Sequence, residues 1–132
     1  MTRYLSLDLG LKRTGVATID SDTGVPLALD TLEYGSEKEL IRSIGVLIAT
    51  RKIDHLLIGL PLLLSGQEGD QSAWVRHIAG KLQSHSLPIS FVDERFSSDA
   101  PLGVNPDSFA ALSLIDRYIS HLKKVDNTRK DI

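Results

Sequence analysis

In the first third of the chain, apolar residues fall in short runs of alternating character: Tyr4 to Leu9, Thr14 to Ile19 and Leu27 to Leu32. The turn-forming stretches Gly10–Arg13 and Asp20–Gly24 separate them. Three successive strands, paired antiparallel, are the natural reading. The period then changes. Ser36-Glu37-Lys38-Glu39 has the form of a capping box, in which a serine oxygen and a glutamate three residues later satisfy free amides at a helix start. Beyond it Leu40, Ile41, Ile44, Leu47 and Ile48 recur at helical spacing, with Glu39, Arg42 and Ser43 on the other face.

His55 to Gly59 reads as a short buried strand running into the constrained loop Gly59-Leu60-Pro61, which continues through Ser65–Gly69. Trp74, Val75, Ile78, Ala79 and Leu82 mark a second amphipathic helix, with Asp70 as its expected cap. Pro88 opens a strand over Ile89 to Val92. The last helix starts at Asn105-Pro106, a capping residue followed by a proline suited to the first helical position, with Phe109, Leu112, Ile115, Ile119 and Leu122 as its inward face. The order βββαβαβα implies an α/β fold: a mixed, mainly five-stranded sheet flanked by helices, the order of RNase H-like folds. One domain over residues 1–122 is expected, followed by a charged, mobile tail from Lys123 to Ile132.

Composition narrows the classes. At 132 residues the chain has the length of a single domain, long enough to need neither disulfide nor structural metal for folding. It has no cysteine, which excludes thiol catalysis and cysteine-ligated zinc and fits a reducing cytoplasm. Its longest apolar runs, such as Leu56-Leu57-Ile58 and Leu62-Leu63-Leu64, are far below the roughly 18 residues of a membrane span. A soluble, untargeted protein with no membrane partner is expected. The net charge is −2, from 15 Lys and Arg against 17 Asp and Glu, so any nucleic-acid contact has to use a local basic patch.

Three acidic residues fall at element ends. Asp8 closes the first strand, Glu94 follows the last one, and Asp107 lies in the first turn of the last helix. Each has an ordinary explanation alone: a turn for Asp8, an ion pair with Arg95 for Glu94, the helix dipole for Asp107. Together, at one edge of a sheet with parallel first and last strands, they would repel unless a cation neutralised them. Mg²⁺ suits hard carboxylate oxygens and takes further ligands from phosphate. Two such ions can activate water and stabilise a leaving oxygen in phosphodiester hydrolysis. Asp93 is a neighbouring candidate, and the alternation of the strand leaves Asp93 and Glu94 both open.

The stretch Asp8-Leu9-Gly10-Leu11-Lys12-Arg13-Thr14-Gly15-Val16-Ala17 resembles the D-x-G-x-K-R-x-G-V-A opening of the bacterial YqgF-type family of Holliday-junction resolvases and pre-16S rRNA processing nucleases. The resemblance continues in Ile58-Gly59-Leu60-Pro61-Leu62 with Gly66, in Asp93-Glu94-Arg95-Phe96-Ser97-Ser98 and in Asp107-Ser108-Phe109-Ala110-Ala111. Four blocks in order span nearly the whole chain. The resemblance implies an RNase H-like endonuclease in which Asp8, Glu94 and Asp107 hold two Mg²⁺ or Mn²⁺ ions. It also implies a structured nucleic acid as partner, either precursor 16S rRNA or a DNA junction. Gly10 and Gly15 are expected to shape the turn and let phosphate approach, and Lys12, Arg13 and Arg95 to contact it.

Two departures from the family stand out. Asp99 to Pro106 is short and carries Asn105-Pro106 where a lysine often stands, and Leu63, Leu64 and Ser65 occupy positions that are often polar. The alternative is a non-catalytic nucleic-acid-binding or ribosome-assembly module with the same fold. A monomer and a homodimer both fit, the latter matching a twofold substrate. His55, His77, His85 and His121 lack metal-ligand spacing, and neither a serine-hydrolase elbow nor a nucleotide-binding glycine motif occurs.

Overall fold

The structure, a computed structural model, describes the backbone over residues 1–93 and 105–130 and the side chains over 1–93 and 105–122. Its elements are β1 (Arg3–Leu9), β2 (Arg13–Asp20), β3 (Leu27–Ala28), β4 (Leu32–Glu33), α1 (Glu37–Thr50), β5 (His55–Leu60), α2 (Asp70–Leu82), β6 (Ile89–Asp93) and α3 (Pro106–Lys130). The sheet runs β3-β2-β1-β5-β6, with β4 also on β2. β1 pairs antiparallel with β2 and parallel with β5, and β5 is parallel to β6. The C-terminal ends of β1, β5 and β6 therefore share one edge.

The third expected strand is divided, which makes six strands rather than five. Ala17 pairs with Ala28 and Thr14 with Leu32, so residues 29–31 stand opposite only Gly15 and Val16. One extra residue on this side is a bulge. The Leu29 amide still reaches the Val16 carbonyl at 2.9 Å, and the exposed Asp30, a poor strand former, follows it.

Strand alternation sorts the two faces. Leu5, Leu7, Leu9, Val16, Leu56, Ile58 and Leu60 pack under α1 and α2, with Leu40, Ile44, Ile48, Val75, Ile78 and Leu82. The serine half of the capping box is present, with Ser36 Oγ accepting from the Glu39 amide at 3.2 Å, while Glu39 Oε2 reaches one residue further back and accepts from the Gly35 amide at 2.9 Å. The cap of α2 is Gly69 rather than Asp70; Asp70 is the first helical residue, where its charge meets the helix dipole.

The other face is covered by α3. Ala17, Ile19, Leu57, Ala111 and Ile115 form its core, bordered by Tyr4, Leu112, Tyr118 and Ile119. Of the expected inward face, Ile115 is buried and Leu112 and Ile119 pack beside it; Ala111 and Leu114 are buried as well, while Leu122 is 39% exposed. The small Ala111 lets the helix come close enough for Ser6 Oγ to donate to the Ala111 carbonyl at 2.7 Å. α3 continues as backbone through 123–130, the stretch expected to be a tail, whose side chains lie outside the described residues. Among the described residues no helix is long and apolar enough to cross a membrane.

At the far end of this face the rings of Tyr4, His55 and Tyr118 lie 5.1–5.7 Å apart, and His55 Nε2 sits 2.8 Å from Ser90 Oγ. Burial pushes the His55 imidazole below its ordinary value. The unfolded chain therefore binds this proton more readily, and its contribution to stability is complete above about pH 6.5 and declines as the pH falls below it. Urea midpoints measured between pH 5 and 7.5 should show a downward slope toward acid that is shallower in His55→Asn; equal slopes would remove His55 as the cause.

Candidate active-site edge

β1 ends at the shared edge, and its alternation sets the side chains. Ser6 faces α3, as its bond to Ala111 shows, so Asp8, two residues on, faces α3 as well. Asp8 pairs across the sheet with Gly15. An added Cβ on Gly15 would sit 2.0 Å from the Asp107 carbonyl oxygen and 3.2 Å from its Cα. The first turn of α3 thus rests in the space of the missing side chain. One glycine is neighbour to both carboxylate-bearing residues, and Asp8 and Asp107 are brought together over it.

The role expected of Gly15 is corrected by this placement. It lies inside β2 rather than in the turn, and close packing, not turn formation, requires it. Gly10 does serve the turn: a Cβ there would meet the Arg13 carbonyl at 2.4 Å. The Tyr34 hydroxyl donates to the Gly10 carbonyl and braces the same turn. Burial raises the pKa of that hydroxyl, keeping it a donor.

Asp107 is held by the cap that the Asn105-Pro106 pair suggests. Asn105 Oδ1 accepts from the amides of Asp107 at 2.9 Å and Ser108 at 3.2 Å. The Asp107 carboxylate lies 3.7 Å from Arg13 Nε, an ion pair between the first residue of β2, at the end of the β1–β2 turn, and α3. Arg13 therefore stands as a cation beside one of the expected metal ligands. Lys12 is exposed at the turn.

β6 reaches the same edge on the far side of β5. Its register places Asp93 beside Leu60, on the α1–α2 face and away from Asp8. Arg117 on α3 donates to the Asp93 carbonyl, tying the helix to the end of this strand. Glu94 and Arg95 lie outside the described residues. Among the described residues no group of three or more His, Asp or Glu forms a metal cluster. The oxygen donors that Asp8 and Asp107 carry are of the kind a hard divalent cation takes, and the Arg13 guanidinium holds the place beside Asp107 that such a cation would take over. The braces from Tyr34 and Arg117 had no local sequence signal, since each joins residues 24 apart in the chain.

Comparison with known proteins gives the family and the fold. Residues 2–102 match the family described as "RuvX: Holliday junction resolvase". A Sulfurihydrogenibium protein named "Putative pre-16S rRNA nuclease" is 40% identical over 103 residues, covering 74% of this chain and 68% of the relative. A Chloroflexus aurantiacus protein of the same name is 30% identical over 142 residues, covering 97% and 93%. Among solved structures, T. thermophilus RuvC bound to a Holliday junction superposes with a TM-score of 0.50 at 10% identity. That match covers 71% of this chain and 66% of RuvC, and it bears on the fold alone.

Gly15→Ala should cost about 2–4 kcal/mol of stability, because the clash is with helix backbone and not with a flexible side chain. Gly80→Ala is the control: the exposed Gly80 of α2 has nothing within 4 Å of an added Cβ, and the change should stabilise by about 0.5–1 kcal/mol. Urea denaturation of both proteins checks the pair, and a neutral Gly15→Ala would refute the close approach.

Proposed function

The chain belongs to the RuvX Holliday junction resolvase family, and on that premise we propose that it is a metal-dependent endonuclease that hydrolyses phosphodiester bonds in structured nucleic acid. The observation that carries the reading is the convergence of Asp8 and Asp107 on Gly15, at the edge where the parallel strands end. Ligands of open α/β sheets bind at this edge. The names of the relatives favour precursor 16S rRNA as substrate, in ribosome biogenesis in the cytoplasm, with a four-way DNA junction as the second candidate.

Asp8, Asp107 and Glu94 would hold Mg²⁺ or Mn²⁺, in two ions. Such ions supply positive charge to the phosphate and lower the pKa of an attacking water. The protein's own residues do the positioning. Gly15 and the Asn105 cap set Asp107 against Asp8. Arg13, on an exposed turn beside Asp107, is placed to exchange its carboxylate for a substrate phosphate, with Lys12 next to it and Arg95 as a further contact.

A melt with EDTA, Mg²⁺ or Mn²⁺ tests the ligand set, since an ion that binds only the folded state raises its melting temperature. Millimolar metal should raise the parent by several degrees and leave Asp8→Asn unmoved. Cleavage of a pre-16S rRNA fragment and of a four-way junction should fall at least about a hundredfold in the same variant. A folded Asp8→Asn protein that cuts as fast as the parent removes Asp8 from the site. Binding without cleavage at any metal concentration would make the protein a binding module.

A further inference from the structure

Two turns leave the carboxylate-bearing edge, and each carries an exposed leucine at its tip. Leu11, in the β1–β2 turn three residues beyond Asp8, is 73% exposed. Leu64, in the loop from β5 to α2, is 81% exposed, with Leu63 beside it at 53%. An exposed leucine is unremarkable on a loose loop, but neither of these loops is loose.

The β5–α2 loop is a small braced hairpin. Leu62 pairs with Glu68, the Leu63 amide reaches the Gln67 carbonyl at 2.9 Å, and the Gly66 amide reaches the Leu63 carbonyl at 2.8 Å. Gly66 takes a left-handed φ of 89°, which closes the turn. Below the tip, Arg76 of α2 holds both oxygens of Glu68, and its guanidinium lies 4.8 Å from the Phe91 ring centroid on β6. Ser72 Oγ ties the Pro61 carbonyl to the same helix. The β1–β2 turn is braced by Tyr34 in the same sense. The fold thus fixes two apolar tips at its polar edge without burying them.

Beside Leu11 stand Lys12 and Arg13, so this part of the edge offers an apolar point next to cations. Duplex nucleic acid presents phosphates outside and stacked bases inside, and the bases are open to apolar contact only where stacking is interrupted. Resting on the nuclease reading of the same edge, we infer that Leu64 and Leu11 form an apolar wedge. It enters at a branch point or helix end, where a base has only one stacking neighbour, and parts the base from that neighbour, while Lys12 and Arg13 hold the adjoining backbone. The wedge makes the protein select structured over single-stranded nucleic acid, and it acts as a specificity determinant apart from the metal ligands.

The test uses the full chain in EDTA, so that binding is read without cleavage. The substrates are a four-way DNA junction and an RNA hairpin, each with 2-aminopurine at the branch or stem end, and an unlabelled single strand of the same sequence as competitor. The parent should raise the 2-aminopurine fluorescence as the base loses its neighbour. Leu64→Ser and Leu11→Ser, both surface changes checked by their unchanged melting temperature, should lose this rise. Their preference for the structured substrates should fall by about tenfold, with single-strand affinity unchanged. Retained fluorescence and preference in both variants overturn the wedge. So does a concentration-dependent dimer that Leu64→Ser abolishes, because the tip then belongs to a second copy of the chain. Cleavage in Mg²⁺ is scored separately: a parent that binds and unstacks the base yet never cuts would overturn the nuclease reading and leave the wedge standing.

Discussion

The functional edge depends on one close approach. α3 lies across the sheet face that carries Asp8, and it descends to main-chain contact where β2 has a glycine. Ser6 fixes the same helix one turn further on, through Ala111, and the packing of Tyr4 against Tyr118 fixes it near the other end of β1. Along β1 the contacts therefore run Tyr4, Ser6, Asp8; along α3 they run Tyr118, Ala111, Asp107. Two residues of strand rise about as far as four residues of helix, so the strand and the antiparallel helix stay in step between Ser6 and Asp8. Small side chains at positions 15 and 111 let the α3 backbone come down beside the strand residue that pairs with Asp8.

The bulge belongs to the same arrangement. The extra residue of the β3–β4 segment falls opposite Gly15 and Val16, beside the point where α3 meets β2. A bulge there turns the edge segment, so that β4 continues along β2 to the turn and delivers Tyr34 to the Gly10 carbonyl. The turn that carries Lys12 and Arg13 is thereby held from two sides: by β4 through Tyr34 and by α3 through the Arg13–Asp107 pair.

Much of this was legible in the residues. The periodicity of Leu40 to Ile48 and of Trp74 to Leu82, the Ser36 capping box and the Asn105-Pro106 start each specify local structure through neighbours three or four residues apart, and each is found in place. Features set by distant contacts were not legible. Gly15 reads as a turn residue beside Gly10 because nothing local records that α3 occupies the space above it. The inward face of α3 was legible in Leu112, Ile115 and Ile119, whereas the small Ala111, selected by close contact with the sheet, has no signal in a pattern of large apolar residues. Asp70 looks like a cap by type, yet the chain enters α2 through the extended Gly69, which places the aspartate one position inside. The facing of Asp93 needed the pairing register, which sets it beside Leu60 on the opposite face; Glu94 lies outside the described residues.

The Arg13–Asp107 pair shows how the edge manages its charge. Arg13 is exposed, Asp107 is half-buried and their 3.7 Å separation is long, so the pair adds little to stability. Its value lies in being easily exchanged. A tight, buried partner for Asp107 would have to be expelled, at several kcal/mol, before any cation or phosphate could use the site. A loose surface partner offsets the negative charge of the carboxylate at small cost and gives it up at small cost. The braces of this edge, from Tyr34, Arg117 and the Glu68–Arg76 fork, bind backbone or loop and leave Asp8 and Asp107 outside them. Rigid supports and exchangeable charge are thus kept on different residues, which is the division that an electrostatically preorganised site requires.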